Sequence, residues 1–95
     1  MITMSQADFD NSIYTHLSKI DLPKEQKNIV SSNLECAWDD SEQYNASWKE
    51  NKFGEGSAYL QNTLDTAIEM GYSREIADDL AGLFYTIGKA NGLRF

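Results

Sequence analysis

The chain has 95 residues, about the length of one domain, and 41% of them are hydrophobic, enough for a modest core. Fifteen acids against eight bases leave a net charge of −7. Phosphate binding draws its affinity from Lys and Arg releasing counterions, so this balance argues against direct DNA or RNA binding and against an anionic membrane surface. It favours basic partners.

Cys36 is the sole cysteine, which rules out an internal disulfide and suits a reducing, cytoplasmic setting. An apolar N-terminal run and a membrane-length apolar stretch are both missing from the pattern, so neither a signal peptide nor a membrane span is expected. The sequon Asn45-Ala46-Ser47 is then incidental.

Taken in order, the chain reads as all-α: a bundle of three to five helices forming one domain over residues 1–95. Ser5 or Asp8 can cap a first helix, along which Phe9, Ile13, Leu17 and Ile20 form a one-sided apolar row with Tyr14 beside it. Asp21-Leu22-Pro23 ends that helix and opens the next, proline being tolerated in a first turn. In the second helix Ile29, Val30, Leu34, Ala37, Trp38, Tyr44 and Trp48 can share one face. Asp39-Asp40-Ser41 resembles a fresh cap, so the helix either kinks there or runs on.

Asn51 to Gly56 reads as a loop, with Ser57 capping a third helix whose stripe is Tyr59, Leu60, Leu64, Ala67 and Ile68. Gly71 stands where a helix ends in a left-handed residue, and Ser73 can cap a fourth helix at once. There Ile76, Ala77, Leu80, Leu83, Phe84 and Ile87 repeat the apolar spacing until Asn91-Gly92. Neither stripe can be buried alone, so these last two helices are expected to pair as a hairpin, with Leu93 and Phe95 folding back on the core.

Few residues invite catalysis or metal binding. His16 and Cys36 would need mutual contact and a third, orienting group to act as base and nucleophile; the plainer expectation is a half-exposed histidine and a small buried thiol. Zinc wants several His or Cys ligands. Asp39-Asp40-Ser41-Glu42 lacks the alternation and glycine of a calcium loop. Gly54-Glu55-Gly56 lacks the Lys-Ser/Thr of a phosphate loop and places an acid between its glycines. No cofactor and no enzymatic activity are expected.

Met70-Gly71-Tyr72-Ser73, with Ala77 and Leu80 behind it, resembles the loop and second helix of a ubiquitin-associated domain, where the Met-Gly-aromatic loop would contact ubiquitin. The preceding helix is longer than that family's, and the residues after Gly92 are too few for its third helix. Ala67, Gly71, Ala77 and Leu80 also resemble helix-turn-helix spacing, but Glu75, Asp78 and Asp79 on the would-be recognition helix would repel DNA. A tight helix–helix corner accounts for both likenesses.

The acids are the remaining signal. From Asn28 to Trp48 there is no base, and Glu35, Asp39 and Glu42 fall on one helical face with Asp40 adjacent. From Glu75 to Gly88 there is again no base, and Glu75, Asp78 and Asp79 lie together. Such rows either solubilise the surface or imitate the phosphates of a strand. The second option makes the chain a small acidic inhibitor docking on the basic, nucleic-acid-binding surface of a partner protein, similar in size and charge to some anti-CRISPR and anti-restriction proteins of phages and mobile elements. The other expectation is a helical adaptor binding through an apolar corner near Met70 and Tyr72.

Overall fold

A computed structural model describes residues 5–43 and 54–95, which form four helices: α1 (Gln6–Ser18), α2 (Lys24–Gln43), α3 (Gly54–Glu69) and α4 (Arg74–Ala90). No strand occurs among the described residues. The fold is an all-α bundle that ends in a helical hairpin.

Local chemistry sets most helix ends. Ser5 accepts the Asp8 N–H on its hydroxyl at 3.2 Å, and Ser73 does the same for Ile76 at 3.2 Å. Both caps hold extended backbone, as an N-cap must. Two Schellman closures stop α3 and α4. Tyr72 N–H bonds Ala67 C=O and Gly71 N–H bonds Ile68 C=O; Leu93 N–H bonds Gly88 C=O and Gly92 N–H bonds Lys89 C=O. The left-handed residue each closure needs is glycine, at φ 93° for Gly71 and 92° for Gly92.

The core runs along one face of every helix. Phe9, Ile13 and Leu17 come from α1, and Ile29, Val30, Leu34, Ala37 and Trp38 from α2. Ala67 comes from α3 and Ala77, Leu80, Phe84 and Ile87 from α4, and Leu93 folds back as expected. Phe95 packs edge-on against Phe84, ring centroids 5.9 Å apart. Helices α3 and α4 make the most extensive pairing, followed by α2 with α3, while α1 rests on α2.

Cross-helix bonds fix the register. Tyr59 reaches Asp40, Asn62 reaches Asn33, and Tyr72 reaches Glu25, so α3 runs antiparallel to α2. The Tyr72–Glu25 bond joins the start of α4 to the start of α2, and Gly88 lies against Leu34, so α4 runs parallel to α2. Buried Asn33 is satisfied at both ends: its amide donates to Ile29 C=O at 2.8 Å and its carbonyl accepts from Asn62.

Of the two alternatives left open for α2 one holds, and two expectations are corrected. Helix α2 does not break at Asp39-Asp40-Ser41 but continues to Gln43: Trp38 is buried at 3% exposure, and Asp40 bonds to α3 instead of capping a new helix. Gly54-Glu55-Gly56 is not a loop, and Ser57 is not an N-cap, because α3 already begins at Gly54. A tertiary contact makes that early start stable. Gly56 N–H, unpaired within the helix, donates to Arg94 C=O at 2.8 Å. A Cβ on Gly56 would collide with that carbonyl and come within 2.8 Å of the Phe95 ring. Ile68, assigned to the buried stripe, is 43% exposed because it sits one residue round the helix from Ala67. Tyr44 and Trp48 lie outside the described residues.

Two substitutions test the account of the hairpin. Gly71→Ala is expected to cost about 1 kcal/mol or more, since a side chain is disfavoured at that φ. Gly82→Ala, in mid-helix with open space around the new methyl, is expected to gain about 0.5–1 kcal/mol. Urea unfolding of both variants reads the opposite signs, and equal effects would refute the left-handed corner.

Candidate functional site: carboxylates on the α1–α2 face

Because α2 is continuous, Glu35 and Asp39 stand one turn apart on the same face, about 6 Å from each other. Glu42 belongs to the last turn of α2, and its side chain lies outside the described residues. Sequence reasoning missed the third member of the group, Asp10 of α1. Antiparallel packing of α1 on α2, with Phe9 and Trp38 rings 5.6 Å apart, brings Asp10 over Glu35. Asp10, Glu35 and Asp39 line one small crevice of about 130 Å³, with Phe9 and Trp38 beneath. Only the position of Asp10 beside the apolar Phe9 hinted at this, and placing it needed the helix pairing.

Two titratable groups register the negative field. Glu35 reaches solvent, yet partial desolvation of its carboxyl raises its pKa, and Asp10 and Asp39 raise it further. The Cys36 thiol is also pushed up, first by desolvation and then by Asp39, Asp40 and Glu35. Cys36 is exposed, not buried as expected, because it falls on the outward side of α2 next to Ala37. At the crevice, the buried Trp38 indole Nε1 has no hydrogen-bond partner, at a cost of about 1–3 kcal/mol.

The other acids have different surroundings. Asp40 accepts the Tyr59 hydroxyl at 2.6 Å, which ties α2 to α3. That bond, with desolvation behind it, pushes the Tyr59 pKa up to about 12. On α4, Asp78 pairs with Arg74 at 3.0 Å, one turn away, so this stretch carries its own counter-charge. Glu75 and Asp79 are exposed. Tyr72 donates to Glu25 at 2.9 Å, and this bond raises its pKa.

The two acidic stretches do not form one site. Glu75 through Asp79 lie at the beginning of α4, next to the beginning of α2, while Glu35 and Asp39 lie in the second half of α2. Ten residues of helix separate Glu25 from Glu35, about 15 Å.

Among the described residues, no three His, Cys, Asp or Glu side chains are placed to hold a metal ion, and no helix is long and apolar enough to cross a membrane. His16 is half-buried on α1. No family model matches the chain, and comparison with curated proteins and with solved structures returns no match.

The electrostatics yield two tests. Glu35 holds its proton more tightly folded than unfolded, so its ionisation costs stability as pH rises above the ordinary glutamate range. Glu35→Gln should therefore raise the thermal midpoint at pH 7, and the difference should fade at more acidic pH. A lowered midpoint at pH 7 would contradict the carboxylate cluster. The Tyr59–Asp40 bond stabilises the fold fully below the ordinary tyrosine pKa and is lost as pH rises through about 12. Tyr59→Phe should cost about 1 kcal/mol at neutral pH, with the loss disappearing in strong alkali. Thermal melts across pH check both signs.

Proposed function

We propose that the chain is a non-enzymatic binding protein whose Asp10–Glu35–Asp39 face docks on a basic surface of a partner protein. One observation carries this reading: helices α1 and α2 converge three carboxylates, and the charges that raise Glu35 are both acidic. Like charges held this close destabilise a lone chain, and Lys or Arg side chains from a partner would relieve the repulsion through charge-assisted bonds. A row of carboxylates of this spacing fits the groove in which another protein holds nucleic acid, which makes the chain an inhibitor of that protein. The exposed free thiol of Cys36 suits a reducing compartment, the cytoplasm in this reading.

The acidic site is smaller than the sequence alone suggests. Asp40 and Asp78 have intramolecular partners, and Tyr72 serves the α2–α4 junction. Glu75 and Asp79 remain as a separate acidic patch at the beginning of α4.

A second reading has its own observation. Met70 is 47% exposed and Ile68 43%, side by side at the α3–α4 corner. An adaptor could bind a partner through that apolar step, and its complexes would resist salt.

Immobilised chain and lysate separate the two readings, provided each captured partner is identified and re-tested pure. Glu35→Gln combined with Asp39→Asn should weaken the pure partner's binding at least tenfold, or about 1.4 kcal/mol. The helical signal should persist, and both salt and heparin should displace the partner. If the double variant binds like the parent while Ile68→Ser with Met70→Ser abolishes binding, the corner is the site.

A further inference from the structure

Helices α1 and α2 also enclose a longer groove of about 730 Å³, and its two ends carry opposite charge. Asp10 and Glu35 stand at one end, Lys24 and Lys27 at the other. Glu35 follows Lys24 by eleven residues, which puts the ends about 16 Å apart along the helix. Between them Ile13 and Leu17 form a buried floor, and Tyr14 stands beside it 76% exposed.

We propose that this groove is the docking face for a second copy of the same chain, in a two-fold dimer. Under a two-fold axis through the middle of the groove, the Asp10/Glu35 end of each copy meets the Lys24/Lys27 end of the other, and both contacts form at once. The two α2 helices then cross antiparallel. A uniformly basic surface would satisfy one end and be repelled by the other, and a uniformly acidic one likewise. The pattern asks for an occupant with the same alternation, which the chain itself presents. Local charge also permits it: two acids and two bases balance here, in a molecule whose net −7 keeps copies apart on other faces. Tyr14 lies near the axis, where a large aromatic side chain with a polar tip is a favoured anchor.

This inference stands apart from the carboxylate-docking reading, although Asp10 and Glu35 belong to both. A dimer occupies them, so dimerisation and capture of a basic partner exclude each other.

Sedimentation equilibrium of the purified full chain tests the proposal. The parent should show a monomer–dimer equilibrium, and Tyr14→Ser should raise the dissociation constant at least about tenfold. Lys24→Glu with Lys27→Glu, and separately Asp10→Lys with Glu35→Lys, should each be monomeric, because like charges then face across the axis. Mixed in equal amounts, the two charge-swapped proteins should form a heterodimer, which also shows that both are folded. A parent that stays monomeric at every concentration overturns the proposal, as does a mixture that fails to pair while both proteins keep the parent's helical spectrum. A monomeric parent that binds a foreign chain in a Tyr14-dependent way assigns the groove to that chain instead.

Discussion

The apolar stripe of α2, from Ile29 and Val30 through Leu34 to Ala37 and Trp38, is the surface on which the other helices depend. One part of it receives the α3–α4 hairpin; Trp38 and its neighbours receive α1. A helix buried from two sides has little perimeter left for solvent, and its charged residues are confined to the remaining strip. That confinement puts Glu35 and Asp39 in line and brings Asp10 of α1 next to them. Core burial thus places the acidic cluster, and it is also why the mutual repulsion is tolerated in the folded chain. Burial of the stripe, at about 25 cal/mol per Å² of apolar area, outweighs the small penalty of like charges at a hydrated surface.

Hydrogen bonds add selection where apolar contact alone would allow sliding. Apolar stripes pack in several registers with similar area, but Asn33–Asn62, Asp40–Tyr59 and Glu25–Tyr72 are satisfied together in only one. Asn33 matters most, because it is buried and its carbonyl would lose the Asn62 amide on a slip. Helix α1 lies against α2 through the Phe9 and Trp38 rings and aliphatic chains, and the groove opens beside it.

What could be read from the sequence was local. Ser5, Ser73, Gly71 and Gly92 announce helix ends because caps and left-handed glycines act within a few residues. Phe9, Ile13 and Leu17 announce a buried face because helical period is a local property. The start of α3 was hidden because Gly54-Glu55-Gly56 has loop composition, and the contact that overrides it comes from Arg94 and Phe95, far along the chain. The continuity of α2 was ambiguous for the same reason: Asp39-Asp40-Ser41 has cap chemistry, and the competing demand on Asp40 is a tyrosine on another helix. Among the site residues, Glu35 and Asp39 were visible as a row. The involvement of Asp10, the withdrawal of Asp40 and the exposure of Cys36 each depend on which helix lies on which face.

Sharing Asp10 and Glu35 between two faces has a consequence for affinity. A basic partner must compete with the Lys24 and Lys27 of a second copy for the same two carboxylates. The apparent affinity for the partner is then reduced by the fraction of chain held as dimer, and that fraction falls on dilution. Partner binding would thus appear tighter in dilute protein than in concentrated protein. Asp39 is different: it lines the small acidic crevice but not the longer groove. A charge change at Asp39 alone therefore acts on partner binding and leaves self-association untouched, whereas one at Lys24 acts mainly on self-association. The two equilibria share an electrostatic centre, and those residues separate them.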